Sequence, residues 1–396
     1  MTARTVFINW RLSSFYGWGV YGLNLALQWC ADPDLSAITG TAVLERHLAL
    51  DPLRRRSLQT LIDRSHEFQA KLTPYAKGTA TVQAPCMNCC DHRFVVGKMA
   101  HGVQLTGSPT VGVTFFETAH LQPDAVSRAA SYPAMVAGST WNLDLLRAYG
   151  LQNVRLVIQG VDPTLFHPGP RLGLYRDRFL IFSGGKLERR KGQDIVMIAA
   201  RRFAERHADA LLVTAWHAPI TYYANSLDEG GLTTPVLFDA AGEVDVVGWA
   251  AANGLGPDNI LDLGIVPNAM MPALLREMDV ALFANRAEGG TNLVAMECMA
   301  CGVPTILSRN TGHLDLIEDD NCYPLVQQNA LPGAEAGFGD IAGWGESDVD
   351  EILEQLERVY AHRAEARARG LRGAARLGEL SWARTAAQMK DVVLTA

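Results

Sequence analysis

The stretch Arg286-Ala-Glu-Gly-Gly-Thr-Asn-Leu-Val-Ala-Met-Glu-Cys-Met-Ala-Cys-Gly-Val-Pro-Thr-Ile-Leu-Ser308 decides the fold. Immediately before it, Asp279-Val-Ala-Leu-Phe-Ala284 is short and apolar between polar neighbours, as a buried parallel strand should be. Gly289 and Gly290 permit a tight turn, and Thr291 or Asn292 can cap a helix that runs to about Cys301. Gly302 suits the left-handed position after the last turn, Pro304 blocks further helix, and Thr305 to Ser308 resumes as strand. The unit is strand, glycine loop, short helix, strand. Amides at such a helix start attract an anion, typically a phosphate. Glu288 lies in the loop beside that position, and Glu297 sits about six residues into the helix, roughly 9 Å farther along its axis. A carboxylate at each end of a phosphate site suits a ligand with hydroxyls on both sides of a diphosphate, which is the shape of a nucleotide sugar.

Outward from this unit, apolar strand-like runs alternate with amphipathic stretches, the pattern of parallel-sheet α/β domains. Residues 5–9, 111–116, 134–137 and 154–158 read as strands in the first half, with helix over 26–29 and 143–149. Phe166-His-Pro-Gly-Pro-Arg-Leu-Gly173 interrupts the pattern as a linker. A second strand series follows at 179–182, 210–213, 260–264, 280–283 and 305–307, then a charged helix over 351–369 and a final helix over 382–393. With 396 residues, two cores are expected rather than one. The expected architecture is two Rossmann-like halves facing a cleft, with ligands at the carboxyl ends of the strands.

Bulk composition narrows the function classes. The 42 acidic against 35 basic residues give a formal charge of −7, which argues against a nucleic-acid partner. Arg54-Arg55-Arg56 is a local basic patch that reads first as a solvated helix face and leaves room for a weak peripheral membrane contact. No apolar run is long enough to span a bilayer, and Met1 to Trp10 reads as a strand rather than a leader. A cytoplasmic location is expected, with the inner face of the membrane as the second place, and the seven cysteines are expected to be reduced thiols.

Four further motifs carry chemistry. In Phe182-Ser-Gly-Gly-Lys-Leu-Glu-Arg-Arg-Lys-Gly192 a strand ends at Phe182, the glycines including Gly185 turn the chain, and Lys186 and Lys191 lie near the next helix start. Two cations there can neutralise a diphosphate leaving group, against the bland reading of a basic surface loop. Gly17-Trp-Gly-Val-Tyr-Gly22 matches a dinucleotide fingerprint, but Trp10 to Tyr16 intervenes after the strand and only Asp32 or Asp34 could serve as the ribose acid. A glycine loop at the cleft rim, with Gly17, Trp18 and Gly19 near acceptor or phosphate, is the better reading. Phe115-Phe-Glu-Thr-Ala-His120 follows a strand that would end in the cleft, where Glu117 or His120 could polarise an acceptor hydroxyl. Cys86, Cys89, Cys90 and His92 invite a zinc reading, but adjacent cysteines point apart and rarely share a metal. Lone histidines at His217 and His313 fall at strand ends that could line the cleft.

Taken together these segments resemble the family-4 retaining glycosyltransferases of GT-B fold. Val157 to Pro168 resembles that family's segment before the interdomain linker, and Ser183 to Gly192 resembles its donor-phosphate segment, with Lys186 in the usual arginine place. Asp279 to Ser308 resembles the paired-glutamate core, Thr311 to Asp315 the segment after it, and Ser381-Trp382 the start of a final helix that crosses back. The resemblance implies an acceptor-side domain over 1–170, a nucleotide-sugar domain over 171–375 and a crossing helix over 376–396. It implies that Lys186 and Lys191 bind the diphosphate with Gly185 and Gly290, that the amides of Thr291, Asn292 and Leu293 add phosphate contacts, that Glu297 binds the ribose and that Glu288 contacts the donor sugar. The implied reaction is transfer of a sugar, with retention, from a nucleoside diphosphate to a hydroxyl of a saccharide or glycoconjugate, as in polysaccharide biosynthesis. No metal or cofactor is implied, the nucleotide sugar being a co-substrate. Two departures stand out. Residues 289–296 separate the glutamates by one residue more than the family pattern, and Glu117 stands where the family often has a histidine. A nucleotide-sugar epimerase of the same fold and a nicotinamide-dependent oxidoreductase are the alternative functions.

Overall fold

The computed structural model describes residues 3–75, 77–97, 102–217, 221–331, 333–335 and 339–396. The first half supplies β1 (Arg4–Asn9), β2 (Leu35–Thr39), β3 (Gly78–Val82), β4 (Cys86–Cys90), β5 (Val103–Gly107), β6 (Thr110–Thr114), β7 (Ala134–Ala137) and β8 (Val154–Leu156). Six of these form one parallel sheet in the order β2-β1-β4-β6-β7-β8, while β3 and β5 pair separately. The second half supplies β9 (Phe179–Lys186), β10 (Ala210–His217), β11 (Ile260–Asp262), β12 (Val280–Phe283), β13 (Thr305–Ser308) and β14 (Tyr323–Leu325), all parallel in the order β11-β10-β9-β12-β13-β14. The chain is therefore an α/β protein of two Rossmann-like parallel-sheet units. In the second sheet the winding reverses between β9 and β12, so the loops after these strands diverge and leave a crevice.

Each sheet is buried on both faces. Val6, Ile8, Val111 and Val136 share a core with the helix Gly17–Cys30, and Ile181, Leu212, Leu282 and Ile306 share one with the helix Gln193–Ala204. The helix Trp382–Thr395 returns to the first unit: Trp382, Ala386, Met389 and Val393 lie in its core, and Trp29 Nε1 donates to the Ala386 carbonyl at 3.2 Å. The outward and return crossings run side by side, with Val161 bridged to Ser381.

Several elements differ from the sequence reading. The 86–90 segment is the central strand β4, with Cys86 and Cys90 on one face and Cys89 on the other, so these thiols cannot share one metal. Burial pushes them to about 12, 11 and 12, which makes them inert packing residues. The glycines after Phe182 do not turn the chain; β9 continues through Gly184 and Gly185 to Lys186. The charged 351–369 region is two helices, Val349–Ala361 and Arg363–Gly378, broken at His362. Gly17 to Gly22 is the opening of a helix and not a loop. A Cβ on Gly19 would lie 2.3 Å from Ser13 Cβ and one on Gly22 2.4 Å from Trp10 Nε1, so these glycines let the helix press on the 10–14 segment. Asp32 and Asp34 both accept from Lys390 at the surface, well away from a ribose position at the end of β2. The dinucleotide reading has no geometry to support it.

Candidate active site

The Glu288 loop is held by close backbone approach rather than by glycine turns. Neither Gly289 nor Gly290 has a positive φ; Asn292 does, at 61°. A Cβ on Gly289 would lie 2.6 Å from the Phe116 amide and carbonyl of the first unit, and Ser139 Oγ donates to the Gly289 carbonyl at 2.7 Å. A Cβ on Gly312 would lie 1.6 Å from the Gly290 carbonyl oxygen. Only glycine fits there, because the segment after β13 passes directly beneath the loop. Gly289→Ala should therefore force the two units apart. A larger radius of gyration in solution scattering, with the fold intact by circular dichroism, would verify this, and an unchanged radius would refute it.

Asn292 caps the helix Leu293–Ala300, accepting from the Ala295 amide, while its Nδ2 donates to His313 Nε2 at 3.1 Å. His313 Nδ1 then faces the Ser308 carbonyl at 3.1 Å. Burial drives this imidazole down to about 4, so it is a neutral brace under the loop rather than a cleft-lining group. The first amides of the helix, from Thr291 to Leu293, lack carbonyl partners one turn earlier, as at any helix start. The Thr291 side chain turns inward against Met296 Sδ at 3.0 Å.

The acidic and basic side chains meet in one buried cluster at the winding reversal. Glu288 accepts from Lys191 Nζ at 2.6 Å, from Arg190 Nη1 at 3.1 Å and from Asn285. Burial alone would raise its carboxyl, but the cations of Lys191 and Arg190 outweigh burial and hold it at about 2. Lys186 ends β9 with Nζ 2.6 Å from Glu188 and over the Tyr223 ring. Glu188, also bonded to Arg190, is held below its ordinary value despite burial. Glu117 comes from the first unit: its carboxylate lies 3.4 Å from Arg190 Nη1, and burial raises it against that attraction. Arg190 thus joins three carboxylates from both sides of the crevice. With Lys186, Arg190 and Lys191 facing Glu117, Glu188 and Glu288, the cluster is electrically balanced. Lys186 and Lys191, the two cations of the sequence motif, each already hold a carboxylate.

Glu297 has a different environment. Among the described residues its carboxylate accepts one hydrogen bond, from Asn268 Nδ2 at 2.5 Å, and pairs with no cation, so burial raises it to about 8. Asn268 in turn touches the first unit, its amide donating to the Ser14 carbonyl at 2.7 Å. Trp18 packs on Trp10 and Phe115, while Gly17 is open to solvent on the rim. Among the described residues no three His, Cys, Asp or Glu side chains are grouped to hold an ion.

Sequence reasoning missed Arg190, Glu188, Asn268 and Asn285, and it missed what braces them. Arg286, fully buried, donates from Nη1 and Nη2 to Asp194 at 2.9 and 2.8 Å and to the Arg189 carbonyl at 2.6 Å. Its amide donates to the Arg190 carbonyl at 2.7 Å. An arginine two residues before the loop glutamate was visible in the sequence, but its partner lies 92 residues earlier. A short antiparallel pair, Gln328–Ala330 with Gly345–Ser347, extends from the second unit over the crevice. Beside it Trp344 Nε1 donates to the Glu117 carbonyl at 2.7 Å, and His120 pairs with Asp340. His120 therefore faces this clasp rather than the cluster.

Residues 268–389 match the profile described as family 4 glycosyltransferase in conflict systems. A D-inositol 3-phosphate glycosyltransferase of Catenulispora acidiphila is 30% identical over 189 residues, which is 45% of this chain and 41% of that one. The enzyme of the same name from Segniliparus rotundus is 24% identical over 59% of this chain and 45% of its own length. The chain thus matches less than half the length of these relatives. Among solved structures, sucrose-phosphate synthase from Thermosynechococcus elongatus superposes with a TM-score of 0.61 at 16% identity over 98% of both chains. Anabaena HepE in complex with UDP and glucose gives 0.61 at 13% identity over all of both chains. No helix among the described residues is long and apolar enough to cross a membrane. The two Rossmann-like units thus share the GT-B fold of these solved structures, and within the second unit and the returning helix residues 268–389 carry the match to the family-4 glycosyltransferase model.

Proposed function

We propose that the protein transfers a sugar from a nucleoside diphosphate sugar to a hydroxyl acceptor, with retention at the anomeric carbon and without a metal. The observation that carries this is the balanced cluster in which Lys191 and Arg190 hold Glu288, set beside the helix start at Thr291–Leu293 and facing Glu117 across the crevice. The donor complexes of Anabaena HepE, a structural neighbour, support a nucleotide-sugar ligand by analogy of fold.

In this reading the diphosphate enters against the helix amides and competes with Glu288 for Lys191, while Lys186 exchanges Glu188 for a phosphate oxygen. Each cation then stabilises negative charge that grows on the leaving group. Glu288, released from Lys191, turns to the hydroxyls of the donor sugar, so that phosphate recognition and sugar recognition are linked through one carboxylate. Glu117 and the rim residues Gly17, Trp18 and Gly19 face the acceptor. A leaving-group phosphate oxygen on the same face as the attacking hydroxyl accepts its proton. Contacts such as Asn268 to Ser14 hold the crevice shut, which excludes water and limits donor hydrolysis.

A thermal-shift series with UDP-, GDP-, ADP- and dTDP-sugars tests the reading, because a ligand specific to the folded state raises the melting temperature. Stabilisation by none of them, with stabilisation by NADH, would sink it. Donor turnover to a new sugar nucleotide without a transfer product would favour the epimerase instead.

Glu297 makes a sharper test. With its carboxyl at about 8, it is mostly protonated at neutral pH in the unliganded protein. Ribose hydroxyls donate to the ionised form, so binding expels a proton. Affinity for UDP-glucose, whose diphosphate does not titrate in this range, should rise up to about tenfold per pH unit between 6 and 8 and level off above. Calorimetry in buffers of different ionisation enthalpy reads the released proton. Glu297→Gln should bind more weakly and lose the slope; equal affinity in the variant would remove Glu297 from the ribose site.

A further inference from the structure

We propose that the cavity beneath the interdomain linker binds a small phosphate-bearing anion. It lies at the amino edge of the second sheet, against the starts of β9 and β12, opposite the edge that carries the crevice. Its volume is about 180 Å³, and four arginines line it, Arg171, Arg276, Arg363 and Arg367, against the single carboxylate of Asp279. That carboxylate is already engaged, with Arg171 Nη1 at 3.1 Å and the Leu180 amide at 2.9 Å. Arg276 spends Nε and Nη2 on the linker carbonyls of His167 and Leu165, and Arg171 donates to the Arg276 and Glu277 carbonyls.

Arg363 and Arg367 are different. Arg363 stacks over the rings of Phe179 and Tyr360, and its nearest carboxylates stand 3.9 and 4.0 Å away, too far for a hydrogen bond. Arg367 makes no hydrogen bond or ion pair among the described residues. Two guanidinium forks with donors to spare, in a cavity with surplus positive charge, fit a phosphate group better than any other common ligand chemistry. The volume is below the range of pockets that hold drug-sized ligands, so a phosphate with a short appendage fits and a nucleotide does not. An anion bridging Arg171 of the linker to Arg363 and Arg367 ties the linker to the second unit and so biases the angle between the units. This inference does not depend on the transferase reading.

The test is calorimetric titration of the whole protein with pyrophosphate and with glycerol 3-phosphate at low ionic strength, where screening is weak. Lys191→Gln, which disables the crevice for phosphate, should keep a saturable site for both anions, and adding Arg363→Gln/Arg367→Gln should weaken that site at least tenfold. Arg367→Ala removes an exposed, unpaired group and keeps the test open should the double variant fail to fold; a threefold loss is expected. Tighter binding of glycerol 3-phosphate assigns the site to a phosphorylated metabolite, and tighter binding of pyrophosphate to an inorganic phosphate. Unchanged affinity in the arginine variants, loss only in Lys191→Gln, or no saturable heat from either anion would overturn the proposal.

Discussion

Glu288→Gln is expected to lower transfer from a nucleotide sugar by at least about a hundredfold while leaving the affinity for UDP equal or tighter. The two effects separate because Glu288 does two things. In the unliganded protein it occupies Lys191 at 2.6 Å and Arg190 at 3.1 Å, so a diphosphate must displace it. Glutamine holds these cations less firmly and releases them to phosphate more readily. The same substitution removes the charge that would meet the donor sugar, and turnover suffers. Steady-state rates with a nucleotide sugar, set beside UDP binding by calorimetry, read both quantities on one preparation. A parallel loss of rate and UDP affinity would mean that Glu288 merely supports the loop. The pH dependence follows from the depressed carboxyl. Held at about 2 against an ordinary 4.5, Glu288 contributes stability that is present above 4.5 and lost as the pH falls through 2. The variant should lose that acid-side slope.

Arg286→Met should cost about 3–5 kcal/mol of stability, because it strands a fully buried Asp194 without its cation. Glu346 also loses a partner. The cost should not stay local: the Arg286 guanidinium braces the Arg189 carbonyl, so the turn that carries Arg190 and Lys191 loosens and activity falls as well. Urea unfolding of the purified variant measures the loss. Arg286→Met/Asp194→Leu should recover much of it, since replacing both buried charges by apolar side chains is far cheaper than removing one. Equal destabilisation in single and double variants would show that packing volume, and not the charge, is what Arg286 supplies.

The fold was readable because its strands are short apolar runs between punctuating glycines and prolines, as at Val280–Phe283 and Thr305–Ser308. β4 escaped because three cysteines read as chemistry, although at that position they are small apolar wall. The continuation of β9 through Gly184 and Gly185 escaped because paired glycines usually signal a turn. Within the site, groups close in sequence were found, Lys186 and Lys191 in one motif and Glu288 and Glu297 in another. Pairings across long separations were not. Nothing local announces that Arg190 faces Glu117, that Asn268 bonds to Glu297, or that Gly289 is glycine because the Phe116 backbone passes at van der Waals range. Such facts belong to tertiary packing, and a linear pattern does not encode them where the partners have no fixed spacing.

The returning helix Trp382–Thr395 has a consequence for synthesis. The first unit completes its core with Trp382, Ala386 and Met389, which leave the ribosome only after the entire second unit has been translated. Until then the groove that receives them, between Trp29 and Tyr21, is open and apolar. The second unit, continuous in the chain, is free to fold first. The first unit therefore cannot complete its core before the second has been made, and until then it carries an exposed apolar surface that a chaperone can hold.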